Sequence, residues 1–333
     1  MNLNTHQDKR VIVTGGSGFI GTNYINFLES IGITDIINID IKPPKNFLHN
    51  KYWIECNILD KDKLIREVTG FMPKKVVHLA AATGTHLKKL NDFDTNIQGT
   101  SNIVQMCRAI SSIERVIFTS SLLVCKMGYL PKHDTDYYPS TPYGQSKVEL
   151  EKIVRAENNP PFCWTIVRPI SVWGPWSIEP YKSFFKSVAG NWYFHIGDGN
   201  YHRSLGYVEN LVFQIQSILN APERAVKNKT FYLADKDPIN LYTMANEIQN
   251  QLGSKKIKHI PLPIVKIGSL VGDFIKLLGY NNFPLTSFRL NNIRTEYVFD
   301  MSPIMSICKS LPFNYKQGIE RTITWLREHN EIK

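Results

Sequence analysis

The sequence predicts an α/β chain, a doubly wound parallel sheet with a smaller C-terminal lobe, and three observations predict it. The apolar run Val11–Thr14 feeds the glycine-rich turn Gly15-Gly16-Ser17-Gly18-Phe19-Ile20-Gly21, after which Ile20, Tyr24, Phe27, Leu28 and Ile31 recur at helical spacing. Short β-rich runs then alternate with helical segments through the first half. After about residue 170 the pattern changes, and Pro, Gly and aromatic residues rise across 170–207.

Taken in order, the expected strands are Val11–Thr14, Ile36–Asp40, 52–56, 75–80, 115–120 and 164–168. Alternation with helices requires crossover connections. These are right-handed, so the strands lie parallel. A further strand at 230–234 returns to the sheet, and 240–252 reads as a helix. Residues 261–280 hold a second apolar helical stretch. Gly268, Gly272 and Asp273 lie within it, so 264–278 is expected to be a buried or lobe-capping helix rather than one lying on a membrane surface. The expected units are 1–170 and, interleaved through the returning strand, 171–333. The second is placed over the carboxyl edge of the sheet, where open α/β sheets bind ligands.

Composition narrows the function classes. A chain of 333 residues suits one large α/β domain with a lobe. No stretch approaches the roughly 18 uninterrupted apolar residues of a membrane span. Residues 1–10 lack an apolar core, so no signal peptide is expected. Cys56, Cys107, Cys125, Cys163 and Cys308 are scattered without metal-ligand spacing. They read as reduced thiols in a cytoplasmic protein without a metal site. The net charge of +10 is spread along the chain, and no nucleic-acid recognition motif accompanies it. It reads as a solvated surface, and an anionic small substrate would also benefit from a positive cleft.

The chemistry begins at the glycine turn. Glycines let the backbone approach a pyrophosphate, and the helix that follows offers unpaired N–H groups and a positive dipole end. Asp40 ends the second strand, where a carboxylate accepts adenosine ribose hydroxyls and repels a 2′-phosphate. The expected cofactor is therefore NAD rather than NADP, although Lys42 lies close by. Tyr143 and Lys147 are four residues apart and share a helix face. An ammonium beside a phenol favours phenolate and would lower the tyrosine pKa toward that of a general base. Ser120 and Ser121 follow a strand and would face the ligand crevice with a hydroxyl.

Together these motifs resemble the extended short-chain dehydrogenase/reductases of the NAD-dependent epimerase/dehydratase type, which act on nucleotide sugars. The matching residues run in order: Thr14 to Gly21, Asp40, His78-Leu79-Ala80-Ala81, Asn96 to Thr100, Ser120-Ser121, Tyr143 to Lys147, Arg168-Pro169 and Trp173-Gly174-Pro175. The resemblance implies a Rossmann-type domain at 1–170, a substrate-binding lobe, NAD as cofactor and a nucleotide-diphosphate sugar as substrate. It implies that Gly15, Gly18, Phe19, Ile20 and Gly21 cradle the pyrophosphate, and that Asp40 holds the ribose. Asn57, where the family usually has Asp, and Ile58 would flank the adenine. Leu79, Ala80, Ala81 and Asn96 would line the cofactor cleft. Tyr143 would be the general base or acid, Lys147 would hold the nicotinamide ribose, and Ser121 would orient the reacting oxygen. Ser121 is preferred to Ser120 because Ser121 to Cys125 aligns with a family Ser-x-x-Val-Tyr pattern.

Arg203, after the glycine-rich turn at 197–199, would grip the diphosphate. Thr83, His86 and Arg289 are further substrate-side candidates, with Arg294 beside them. The resemblance also implies a homodimer formed through helices at 96–110 and 142–156. Two departures matter. Leu122 and Leu123 stand where dehydratases carry Asp-Glu and cannot transfer protons, so a dehydratase is disfavoured. Cys125 replaces a common Tyr near the expected sugar pocket. The leading expectation is an NAD-dependent nucleotide-sugar epimerase, most readily at the sugar 4-position. The alternatives are a nucleotide-sugar reductase or dehydrogenase using the same residues, a dehydrogenase of a non-sugar alcohol, and a non-catalytic NAD sensor.

Overall fold

The computed structural model describes residues 9–84, 87–197, 199, 201–277 and 286–333. Seven strands form one parallel sheet: β1 (Val11–Thr14), β2 (Ile36–Asp40), β3 (Trp53–Glu55), β4 (Lys75–His78), β5 (Arg115–Thr119), β6 (Cys163–Pro169) and β7 (Lys229–Leu233). Their order across the sheet is β7-β6-β5-β4-β1-β2-β3. The chain builds outward from β1 in one direction and from β4 in the other. The switch point falls between β1 and β4, where Thr14 pairs with His78, and it opens a crevice at the strands' carboxyl ends.

The strands are apolar on both faces because helices cover both. Val11, Val13, Val77, Ile117 and Val167 pack with α1 (Phe19–Ser30) and the Val208–Asn220 helix. The alternate residues Ile12, Val76, Val116, Phe118 and Ile166 pack with α2 (Lys61–Thr69), α3 (Asp94–Ala109) and α4 (Pro142–Arg155). That two-faced burial is why these runs read as continuous hydrophobic strands. Each fully buried Val or Ile contributes on the order of 1.5–3 kcal/mol. The expected strand at 75–80 stops at His78, and the one at 52–56 shortens to Trp53–Glu55.

The lobe has its own core, in which Trp173, Phe185, Tyr207, Met244, Ile248 and Ile323 meet. The helix expected at 240–252 runs Leu241–Leu252. Asn240 caps it by accepting a hydrogen bond from Tyr242 N at 2.7 Å, and Gly253 ends it at φ +64°. The stretch expected to be a buried helix differs. Its helix, Leu262–Leu277, buries Val265, Ser269 and Gly272 and packs against Ser287–Arg294, while its large apolar residues face solvent. Small residues allow the close approach on one side, so the bulky ones are left on the other.

Helices α3 and α4 pack on each other. Their apolar residues Ile103, Val104, Met106, Leu150 and Val154 are buried within the one chain, and Gln98, Gln105, Arg108 and Lys152 are exposed. Among the described residues no helix is long and apolar enough to cross a membrane.

Candidate active site

The glycine turn leaves β1 and enters α1. Gly15 takes φ +73°, and a Cβ there would lie 2.6 Å from Ala80 N, so only glycine lets the turn touch the strand β4 exit. Gly21 faces the turn itself, with an added Cβ 2.5 Å from Gly16 Cα. Gly18 differs. It is the N-cap of α1, and an added Cβ would meet nothing of the protein closer than Gly15 O at 3.1 Å. The absent side chain at Gly18 therefore clears space for a ligand, which fits a dinucleotide pyrophosphate over a helix N-terminus. Asp40 is half-buried and accepts hydrogen bonds from Ser17 N and Lys42 N, both at 3.1 Å. Burial pushes its carboxyl above the usual range, and these amides oppose that. Asp40 thus sits beside the turn, as a ribose-holding acid must.

Other expected cofactor residues act from behind the cleft. Asn57 accepts from Leu59 N at 3.0 Å and forms the turn after β3. Ile58 is buried in the core against Gly99. Asn96 is fully buried. Its amide donates to Ala82 O and Ser146 Oγ and accepts from Ala82 N, which ties the cleft floor to α4. From within the core it holds Ala82, the residue that follows Ala80 and Ala81.

A cavity of about 820 Å³ opens at the carboxyl ends of the strands. Phe19, Ile20, Leu79 and Ala81 of the expected cofactor set line it, as do the expected substrate-side residue Thr83 and the trio Ser121, Tyr143 and Lys147. Thr141 caps α4 by accepting from Gly144 N at 3.0 Å, which fixes the turn that carries Tyr143. Ser120 donates to the Glu151 carboxylate at 2.6 Å, whereas the Ser121 hydroxyl accepts from Leu123 N at 3.1 Å and favours the ionised form of Tyr143. Of the two serines, Ser121 is the one coupled to the phenol.

The electrostatics depart from the expectation of a lowered phenol. Burial pushes Tyr143 up to about 12, with the Ser121 hydrogen bond opposing. Burial likewise pushes Lys147 down to about 8, with Glu151 opposing. The reason is placement: Lys147 Nζ lies 5.9 Å from the Tyr143 ring centre and donates to Thr119 O at 2.9 Å. Desolvation therefore outweighs attraction, and at neutral pH Tyr143 is a neutral phenol placed to donate a proton. Behind it, Glu151 is buried and takes Arg168 Nε and Nη2, each at 2.8 Å, and Tyr137 OH at 3.0 Å. Sequence reasoning missed Glu151, although its spacing of four from Lys147 was the available signal. Cys125 is likewise behind the cleft rather than near it: its buried thiol donates to Asp136 O at 3.2 Å.

From the lobe, Arg203 reaches the same cavity. Its Nε donates to Thr295 O at 3.0 Å, and its guanidinium stacks 5.2 Å from the Tyr297 ring centre. Its Nη2 is buried without a partner among the described residues. Tyr297, Tyr181 and Lys88 also line the cavity and carried no sequence signal. Leu123 lines it where an acid would serve a dehydratase. Arg294 turns to Tyr201 OH at 3.1 Å instead. His86 and the Arg289 side chain lie outside the described residues. The described residues hold no cluster suited to a metal ion, and all five cysteines are free and buried.

Comparison with known proteins agrees with this geometry. The chain is 27% identical to the N-acetyl-alpha-D-glucosaminyl-diphospho-ditrans,octacis-undecaprenol 4-epimerase of Escherichia coli O157:H7, over 95% of this chain and 94% of the relative. It is 26% identical to a 3-beta-hydroxysteroid dehydrogenase of Mycolicibacterium neoaurum, over 74% and 71%. Its fold is similar to that of the Thermotoga maritima UDP-glucose 4-epimerase solved with UDP-glucose, with TM-score 0.72, 19% identity and coverage of 96% and 99%. It is also similar to that of the Bacillus cereus UDP-glucuronic acid 4-epimerase solved with NAD, with TM-score 0.71, 18% identity and coverage of 96% and 99%. Residues 11–234, which carry the glycine turn, Asp40, Ser121, Tyr143, Lys147 and Arg203, match the NAD dependent epimerase/dehydratase family, and the chain belongs to that family.

Proposed function

We propose that the chain is an NAD-dependent epimerase of a nucleotide-diphosphate sugar, acting at the sugar 4-position. One observation carries this reading. A single cavity holds Ser121, Tyr143 and Lys147 at its floor and Arg203, with a buried unpartnered nitrogen, on its lobe side. A guanidinium with a free fork position suits a diphosphate, and the E. coli relative and the UDP-sugar neighbours are all named for sugars carried on one.

NAD supplies the hydride acceptor, and epimerisation requires the hydride to return to the opposite face of the sugar. The chain's residues do the rest. Gly15 and Gly21 let the turn close on Ala80 and Gly16, Gly18 leaves room for the pyrophosphate, and Asp40 takes the ribose hydroxyls. Lys147 offers its ammonium to the nicotinamide ribose. Tyr143 acts as base in its ionised form, which the Lys147 ammonium and the positive charge of bound NAD would favour. Its phenolate oxygen would take the proton from the sugar hydroxyl, become the neutral phenol, and give the proton back when the sugar is reduced again, while Ser121 donates a hydrogen bond to the same sugar oxygen. Arg203 anchors the diphosphate, so the ring can turn while its carrier stays bound. The exposed polar faces of α3 and α4 are proposed to pair two copies as a homodimer.

A mass-spectrometric screen of nucleotide sugars, native and 4-keto, with and without added NAD(H), tests the reading. The expected result is interconversion of 4-epimers without net NADH, with KM raised at least tenfold in Arg203→Ala. The Mycolicibacterium relative's name motivates a second reading as an oxidoreductase. Stoichiometric NADH formation would select it and overturn the epimerase.

A further inference from the structure

The helix Leu262–Leu277 inverts the usual rule for a lobe helix. It buries Val265, Ser269 and Gly272, two of them small. It exposes Ile264, Ile267, Leu270, Val271, Phe274 and Leu277, from 51% at Val271 to 84% at Leu277. At 3.6 residues per turn these six span an arc of about 140° centred opposite the buried three. A contiguous apolar stripe of this kind marks an interaction surface.

Its surroundings say what it meets. Lys266 and Lys276 stand exposed on the helix. The strand Lys258–Ile260 leads into the helix, and Lys255, Lys256 and Lys258 are exposed at or just before it. That strand pairs with Phe194–Ile196, where Phe194 is 40% exposed, and Trp192 just before it is 60% exposed. Lys266 borders the apolar face on the helix, and Lys255, Lys256 and Lys258 lie on the segment that leads into it. Lysines so placed, with aromatic residues on the paired strand, form the pattern of a helix lying in a membrane interface. An anionic lipid surface complements the lysines, and acyl chains complement the stripe.

We propose that this helix docks the protein on anionic phospholipid membranes as a peripheral, non-spanning contact. The contact is independent of the epimerase reading, since none of the stripe residues lines the catalytic cavity.

The test is flotation of the full-length protein with vesicles of phosphatidylcholine alone or of equal parts phosphatidylcholine and phosphatidylglycerol. Binding is expected to the mixed vesicles and to weaken as salt rises. Ile267→Glu/Phe274→Glu should lose roughly a hundredfold in vesicle affinity, from two apolar side chains no longer inserted, with its melting temperature and turnover unchanged. Lys255→Glu/Lys256→Glu should reduce binding to the mixed vesicles. Failure of the parent to float overturns the proposal, as does undiminished binding by the Ile267/Phe274 variant. A drop in solution mass or melting temperature in that variant, with no vesicle binding by the parent, assigns the stripe to a second copy or to the chain itself and overturns it equally.

Discussion

Lys147 is a buried ammonium whose folded pKa is about 8 against 10.5 for a free lysine, which makes it a measurable cost to the NAD-free fold. Below about pH 8 the group is charged in both states, and the fold carries the whole expense of desolvating it. A shift of that size corresponds to about 3 kcal/mol. Between about 8 and 10.5 the unfolded chain binds more protons than the folded one, so stability rises with pH. Above 10.5 the cost is gone.

Lys147→Met keeps the side chain's length and removes the charge, along with the hydrogen bond to Thr119 O. That bond contributes about 1 kcal/mol. The NAD-free variant should therefore be about 2 kcal/mol more stable than the parent at neutral pH, and above 10.5 the order should reverse, leaving it less stable by the lost hydrogen bond, about 1 kcal/mol. Denaturant unfolding of both proteins across that range measures it. A variant less stable than the parent at neutral pH, or a gap that stays constant with pH, refutes the assignment of the lowered pKa to burial. The same variant should bind NAD poorly, because the ribose loses its cation.

Tyr143→Phe should cost about 10²–10⁴-fold in kcat with substrate affinity nearly unchanged, and turnover at the parent rate would remove Tyr143 from the mechanism. Gly18→Val should abolish NAD binding with the melting temperature kept, whereas Gly21→Ala, whose Cβ would press on Gly16, should destabilise the fold by about 1–3 kcal/mol. Isothermal titration should show tighter binding of NAD than of NADP, and reversal of that order would count against Asp40 as the ribose ligand. Light scattering at micromolar concentration should give twice the chain mass of 38.2 kDa, and the monomer mass alone would exclude pairing through α3 and α4.

The sheet was legible because its strands are buried on both faces and separated by helices. Each announces itself as a short apolar run, and β1, β2 and their glycine turn fall where the sequence puts them. Strand ends were less legible: β4 stops at His78 because Leu79 and Ala80 turn to meet Gly15. The Leu262–Leu277 helix was legible as a helix but not in its orientation, since periodicity marks an apolar face without saying what it faces. The packing of Val265, Ser269 and Gly272 decided that. The roles of Asn96 and Ile58 were hidden for a related reason. Their neighbours Ala82, Ser146 and Gly99 come from distant segments, and local pattern cannot report such partners.

The direction of the Tyr143 shift shows why charge chemistry is the hardest part to read. Tyr143, Lys147 and Glu151 recur every four residues along α4, and that spacing alone suggests a carboxylate neutralising a lysine beside a phenol. The structure commits the carboxylate elsewhere, to Arg168, Ser120 and Tyr137. Among the described residues Lys147 Nζ keeps one hydrogen-bond acceptor, Thr119 O, for its three donors. An ammonium left with two unused donors in a cleft is poorly solvated, which is why its pKa falls. It gains most from a ligand that brings hydroxyl oxygens. The hydrogen bonds of Glu151 to Arg168, Ser120 and Tyr137 therefore leave Lys147 only the longer-range attraction of that carboxylate, which opposes the desolvation without overcoming it, and under the proposed mechanism a cofactor ribose would satisfy the remaining donors.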